Sequence, residues 1–318
     1  MRGVFLDTHT VSDGDLDLNA LTETLPDWTL LSVAAASEAT AAVRDADIII
    51  SNKVVLDRDT LDSARALKLV CIAATGTNNV DLEAAAEQNI TVCNVRAYAN
   101  RSVVEHVFML MLALTRRLHE HTAAVQQGTW QQASRFSLLD FPFTGLAGQT
   151  LGIIGYGELG KAVANMGSAF GMQVLIAQRP GTPVTAGRCS LEQLLSESNV
   201  LSLHCPLTPD TANLIDSHAL REMRSDAILI NTARGGIVNE ADLLHALETG
   251  EIAGAAIDVL TEEPPRPGNP LPGNQLPNLI VTPHVAWASI DARQRLINEL
   301  VANIKAYLND KPRNTVVQ

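Results

Sequence analysis

Arg234, Asp258, Glu263 and His284 stand at or just beyond apolar runs of strand length, in the stretches LINTARGG, AAIDVLTEEPP and LIVTPHVAWAS. In an open parallel sheet the carboxyl ends of the strands face the ligand crevice. All of these side chains should therefore point to one edge. Their chemistry suits the reduction of a carbonyl group by a nicotinamide. Hydride transfer builds negative charge on oxygen, and a protonated imidazole can deliver a proton there. A neighbouring carboxylate stabilises the imidazolium and orients the ring. A guanidinium grips a substrate carboxylate and polarises the carbonyl, because its planar donor fork matches both. Taken singly, each residue also has a plain reading: Arg234 in a surface ion pair, Glu263 in a turn before Pro264, His284 as a hydrogen-bonded loop histidine. Together, at the ends of late strands, the chemical reading is favoured.

The hydride carrier has its own signature upstream. LGIIGYGELG, residues 151–160, is an apolar run ending in Gly-x-Gly-x-x-Gly, and a helical pattern follows it. Gly155 permits the tight turn, Gly157 lets backbone approach a pyrophosphate, and Gly160 lets the helix pack against the sheet. The phosphates then lie at a helix N-terminus, with Tyr156, Glu158 and Leu159 beside them. The next strand should end in an acid that binds the adenosine ribose of NAD. Gln178 and Arg179 stand there instead. Two readings stay open: Arg179 pairs with the 2′-phosphate of NADP, or Gln178 bonds the plain ribose of NAD while Arg179 is a solvated charge.

These residues need strands to carry them, and the chain supplies an alternating series from end to end. The first strand runs are GVFLD, WTLLSV, DADIIIS, LKLVCIAA and ITVCNV, with helical segments at 58–66 and 81–89 among them. The second set is TLGIIG, MQVLIAQ, NVLSLHCP, AILINTA, GAAIDVL and NLIVTPH. Such alternation predicts parallel sheets covered by helices. Residues 101–127 read as one long helix ended by Gly128, apolar nearly all round in its first half. An irregular aromatic stretch, WQQASRFSLLDFPFTGLAGQ, follows as a connection or an arm onto another subunit. A helix at 289–309 and a short polar tail close the chain.

Bulk composition narrows the partners. The chain has 318 residues, enough for two domains, and carries 23 Lys and Arg against 35 Asp and Glu, a formal charge of -12. A surface this acidic does not suit nucleic acid or an anionic membrane. No signal peptide pattern opens the chain and no apolar run spans a bilayer, which predicts a cytoplasmic protein. Cys71, Cys93, Cys189 and Cys205 are scattered, with neither metal-ligand spacing nor a disulfide framework, and read as reduced core thiols.

The stretches GIIGYGELG, LSLHCPLTPDT, LINTARGGIVNE, AAIDVLTEEPP and VTPHVAWAS, taken together, resemble the D-isomer-specific 2-hydroxyacid dehydrogenase family over essentially the full length. Within it, SNKVVLD, AATGTNNVD and PHVAWAS are most similar to the glycerate dehydrogenase/hydroxypyruvate reductase group. The resemblance implies an α/β protein of two doubly wound parallel-sheet domains. A flavodoxin-like substrate-binding domain takes residues 1–100 plus 286–318, and a Rossmann NAD(P)-binding domain takes 101–285, with the active site in the cleft between them. It implies Arg234 for the substrate carboxylate, Glu263 with His284 as the acid/base pair, and Asp258 near the nicotinamide. His204, Cys205, Pro206 and Thr211 would lie along the cofactor, as would Thr232, Ala233, Arg234 and His284. The backbone of Ala74, Thr75 and Gly76 would meet the substrate carboxylate, and Trp287 would close one side. Asn52 and Lys53 have two readings, as cleft lining or as a solvated turn. The implied assembly is a homodimer built through the dinucleotide domain.

The implied reaction is reduction of hydroxypyruvate or glyoxylate to D-glycerate or glycolate with NADH or NADPH. Two rivals stand beside it. One is a D-3-phosphoglycerate dehydrogenase-like enzyme, weakened because no regulatory domain follows residue 318. The other is a nucleotide-sensing corepressor-like protein, disfavoured by the retention of Arg234, Glu263 and His284. Two departures from the family pattern matter. The acidic ribose residue is missing, which leaves cofactor choice open, and Arg96-Ala97 replace a common Pro-Gly, which leaves local loop shape open but not the chemistry, while Ser102 keeps the usual serine.

Overall fold

The computed structural model describes residues 1–32, 36–179 and 181–317, with residues 36 and 37 described by backbone only. The chain forms two compact units, one of Met1–Ala99 with Trp287–Gln318 and the other of Asn100–Ala286. Each is a helix-covered sheet. Among the described residues, no helix is long and apolar enough to cross a membrane.

The first unit begins β1 (Arg2–Phe5), α1 (Asn19–Thr22), β2 (Asp27–Leu30), α2 (Ala36–Val43), β3 (Ile48–Ser51), α3 (Arg58–Ser63), β4 (Leu69–Ile72), α4 (Leu82–Glu87) and β5 (Thr91–Cys93). The Val33 end of the WTLLSV run lies outside the described residues. β3 and β4 are buried at every position, as expected of central parallel strands covered on both faces. Asp57 and Asp81 start α3 and α4 by accepting the backbone N–H of Thr60 and Ala84.

The chain then builds the second unit: α5 (Asn100–Thr115), α6 (Leu118–Gln126), β6 (Thr150–Ile154), α7 (Glu158–Ala169), β7 (Gln173–Ile176), α8 (Leu191–Glu197), β8 (Val200–Leu203), α9 (Ser217–Glu222), β9 (Ile228–Asn231), α10 (Glu240–Thr249), β10 (Gly254–Ile257) and β11 (Leu279–Val281). Its six strands are all parallel, in the order β11-β10-β9-β8-β6-β7. From β6 the chain moves outward to β7, then returns to β8 on the other side. That reversal between β6 and β8 makes a switch point, where an open α/β sheet leaves a crevice at its carboxyl edge.

The structure corrects the single long helix expected over 101–127. α5 stops at Thr115, and Arg117 takes a left-handed backbone, φ +52°, before α6 begins. The Arg116 guanidinium lies 4.0 Å from the centre of the Phe143 ring, and that of Arg117 5.3 Å from Phe141. Both aromatics come from the irregular stretch, which itself holds neither helix nor strand. Cation–π contacts thus accompany a bend that no glycine or proline announces.

Returning to the first unit, the chain forms α11 (Ile290–Leu308), capped by Ser289, as the sequence predicts. The tail differs from expectation. Residues Thr315–Val317 form β12, antiparallel to β5, and complete a six-stranded sheet of order β12-β5-β4-β3-β1-β2. Fully buried Asn303 fixes this end: its amide donates to the Asn94 carbonyl at 2.9 Å and its oxygen accepts from Asn314 at 3.1 Å.

Candidate active site

The loop after β6 turns at Gly155, where φ is +92°. A Cβ there would overlap the backbone nitrogen of Cys205, which follows β8. The two loops at the switch point are drawn together further by the His204 N–H, which donates to the Ile154 carbonyl at 2.7 Å. A Cβ on Gly160 would overlap the Gly155 carbonyl, so only glycine lets α7 sit this close to the strand. Gly157 caps α7 and has open space where a side chain would be, with Tyr156, Glu158 and Leu159 around it. The first N–H groups of this twelve-residue helix are thus approachable by an anion.

Among the described residues, His204 Nδ1 after β8 and Thr232 Oγ1 after β9 are buried polar atoms with no hydrogen-bond partner. Unpaired buried groups are rare and mark strain, water or an absent ligand. With the open helix end, they fit a dinucleotide. Nearby, the Thr211 hydroxyl donates to the Pro206 carbonyl at 2.7 Å and accepts from the Thr208 N–H, which shapes the loop beyond Cys205.

Just beyond β7, Gln178 is already engaged. Its amide donates to Thr182 at 2.6 Å and its oxygen accepts from the Thr185 hydroxyl at 3.0 Å. Arg179 is exposed. A second guanidinium, absent from the sequence reading, joins it here. Arg188 donates to the Ala177 carbonyl at 2.9 Å and sits 5.6 Å from the centre of the Tyr156 ring in the glycine loop. Two cations therefore flank the position where NAD-selective sites carry an acid.

The candidate proton-handling groups follow β10 and β11, which pair with Ile257 opposite Val281. Asp258, one residue beyond β10, is 1% exposed. It accepts from the Thr282 hydroxyl at 2.5 Å, the Val285 N–H at 3.0 Å and the Ala286 N–H at 2.9 Å. Burial works to raise its carboxyl, but hydrogen bonds from His106, Thr282, Ala286 and Val285 outweigh that and hold it below the ordinary carboxylate value. The His284 N–H donates to the Asp258 carbonyl at 2.8 Å, and His284 has a left-handed φ of +52°. Its ring Nδ1 lies 2.5 Å from Glu263 Oε2, while Oε1 of the same carboxylate accepts the Leu260 N–H at 2.8 Å. A carboxylate can only accept, so Nδ1 carries a proton and Nε2 is the ring nitrogen not engaged by Glu263. Arg234, exposed beyond β9, donates to the neighbouring Ala233 carbonyl at 2.6 Å and has no carboxylate partner among the described residues. Asn231 shapes that turn by bonding the Ala233 N–H and the Arg234 carbonyl.

The first unit carries its own cluster. The Ala74 carbonyl accepts from Val95 N–H, the Thr75 hydroxyl donates to Val95 at 2.8 Å, and the Thr75 carbonyl accepts from Asn94 at 2.8 Å. The backbone N–H groups of Thr75 and Gly76 have no hydrogen-bond partner among the described residues. Ala97, of the Arg96-Ala97 pair, adopts φ +57°, a left-handed conformation that favours glycine. Asn52 is committed to structure: its side chain donates to Thr10 at 2.9 Å. Lys53 is exposed. Buried Asp7 accepts the N–H groups of Asn52, Lys53 and Val54, and no spacing in the sequence pointed to it. Trp287 meets Tyr98 edge-on, with ring centres 6.3 Å apart.

The chain matches the family model for the D-isomer specific 2-hydroxyacid dehydrogenase, NAD binding domain, over residues 108–286. It is 49% identical to a glycerate dehydrogenase of Methylorubrum extorquens, over 86% of each chain. It is 34% identical to a hydroxypyruvate reductase of Blautia hydrogenotrophica, over 99% of each. Among solved structures, the TT0316 protein of Thermus thermophilus superposes with a TM-score of 0.88 at 35% identity, covering all of both chains.

Burial at the switch point has a consequence for stability. Desolvation pushes the His204 imidazole down from 6.5 to about 4. Between those values the unfolded chain binds a proton that the folded chain refuses, so stability falls as pH drops through this window and falls no further below it. The span corresponds to at most roughly 3–4 kcal/mol. Urea unfolding of the ligand-free protein from pH 7 to pH 4 should show this loss, and His204→Asn should flatten it. Parallel pH profiles for the two proteins would contradict the assignment.

Proposed function

The chain belongs to the D-isomer specific 2-hydroxyacid dehydrogenase family, and from that premise we propose that it reduces hydroxypyruvate, or glyoxylate, to D-glycerate or glycolate. Asn100–Ala286 serves as the NAD(P)-binding domain and the other unit as the substrate-binding domain. The observation that carries the reading is the 2.5 Å bond between His284 Nδ1 and Glu263, together with an Arg234 that has no carboxylate partner among the described residues.

A nicotinamide dinucleotide held at the Gly155–Gly160 loop would supply the hydride for the carbonyl carbon. The protein does the rest. Arg234 takes the substrate carboxylate in its planar donor fork and draws density from the adjacent carbonyl. As the carbon–oxygen double bond opens, the oxygen takes the proton from His284 Nε2 and becomes the hydroxyl. Glu263 holds the ring through Nδ1 and balances its charge before transfer. His284 then regains a proton from solvent, and in oxidation the same nitrogen accepts it. Thr75 and Gly76 offer two free N–H groups suited to an anionic oxygen. Asp258 sets the backbone that aims His284.

Supporting a second copy as partner, Leu118, Trp130, Phe136 and Leu139 of the α6 and aromatic segment are 58%, 50%, 92% and 65% exposed. Such apolar exposure in one stretch marks an interaction surface. We read the protein as a cytoplasmic homodimer; sedimentation showing only monomer at micromolar concentration would refute the assembly.

Initial rates with hydroxypyruvate and either dinucleotide test the chemistry. His284→Ala should lower the rate by about 10²–10⁴-fold, the span of a lost general acid. Glu263→Gln, which keeps a hydrogen-bonding group without the charge, should lose less. Replacing both Arg179 and Arg188 by alanine should weaken NADPH by roughly 1.5–3 kcal/mol and leave NADH nearly unchanged, because only NADPH offers a 2′-phosphate. Full activity in His284→Ala would overturn the mechanism, and equal effects on both dinucleotides would remove the two arginines from the ribose site.

A further inference from the structure

α5 reads as a core helix, yet it sends two polar side chains, one turn apart, onto the segment that carries His284. Buried Ser102 donates its hydroxyl to the Ala286 carbonyl at 2.7 Å. His106, four residues on, places Nε2 3.1 Å from the Thr282 hydroxyl and 3.5 Å from Asp258 Oδ1, with its side chain 12% exposed. The directions of these bonds are fixed. Thr282 Oγ1 gives its only proton to Asp258 at 2.5 Å, so it accepts from His106 Nε2–H. A single chain of donors therefore runs from His106 through Thr282 to Asp258, and Asp258 takes the N–H groups of Val285 and Ala286.

We propose that His106 is a positioning residue for proton transfer, setting His284 through Thr282 and Asp258. The residue so held needs holding. The His284 backbone lies in the left-handed region, φ +52°, a conformation that a residue with a side chain keeps only where the surroundings over-determine it. Its own N–H donates to the Asp258 carbonyl, and the two residues after it are bound to the Asp258 carboxylate. Without the His106 donor, Asp258 and Thr282 gain freedom to rotate, and the backbone under the imidazole loosens. Transfer of a proton depends steeply on reach and direction, so the loss falls on the chemical step rather than on substrate capture.

The inference rests on His284 as proton donor, and its test separates the two claims. His106→Leu removes the donor at similar volume; His106→Gln restores an uncharged N–H at similar reach. Two readouts are taken: kcat and KM for hydroxypyruvate at saturating dinucleotide, and hydrogen exchange at the Val285 and Ala286 amides without substrate. In His106→Leu, kcat should fall by about tenfold or more, with KM little changed. Exchange at the two amides should quicken by roughly tenfold. His106→Gln should recover most of both. Thr282→Val breaks the chain one link further on, and adding it to His106→Leu should produce little further loss in kcat, as residues of one network are not additive. Unaltered exchange in His106→Leu, His106→Gln no better than leucine, or additive losses in the double variant would each overturn the proposal. A parent enzyme that turns over no 2-oxo acid would instead defeat the reading of His284, while the exchange data would still decide whether His106 holds this segment.

Discussion

A buried carboxylate governs the reactive edge of this protein. Asp258 lies out of water, where an unsatisfied charge would be strongly destabilising. It is tolerated because Thr282, Val285 and Ala286 all donate to it. That requirement fixes the path of the chain after β11, including the unusual backbone of His284. The pairing of β10 with β11 makes the arrangement possible, since Ile257 opposite Val281 brings Asp258 beside Thr282. The same extension of β10 then supplies Glu263, so one strand's exit provides both the anchor of the imidazole backbone and the partner of its ring.

The second constraint is close approach at the switch point. Because β6 and β8 are neighbours while β7 lies outside them, the loops after β6 and β8 crowd each other. Gly155 has no room for a side chain against Cys205, and Gly160 none against Gly155. What remains open is the approach at Gly157 to the start of α7. Packing thus leaves no room for a side chain at Gly155 or Gly160 and leaves open space at Gly157. Two of the buried polar atoms without a partner among the described residues, on His204 and Thr232, lie at the ends of the next strands along.

The residues legible from sequence are those whose position follows from strand periodicity. Arg234, Asp258 and His284 follow apolar runs, and in a parallel sheet that alone sets their edge. The glycine loop carries its reason in its spacing. What escaped detection depends on contacts made far along the chain. His106 lies within an apolar helix, where a lone histidine reads as core. Arg188 returns to Ala177 only because the intervening loop folds back. The break at Arg117 follows aromatics some two dozen residues later, and β12 is too short to signal a strand before β5 gives it an edge. Asn52 looked like cleft lining or a solvated turn, but its side chain is committed to Thr10. Buried Asp7 organises that loop through three backbone amides and left no trace in the pattern.

The central claim is that this edge hands a hydride and a proton to one face of a 2-oxo acid, with His284 moving the proton. Chirality in the reverse direction tests it most directly. D-glycerate and L-glycerate are offered separately to the purified protein with NAD and with NADP, and reduced nicotinamide is followed. The account predicts that D-glycerate is oxidised and L-glycerate is not. Oxidation of L-glycerate, or of neither enantiomer with either dinucleotide, would contradict it.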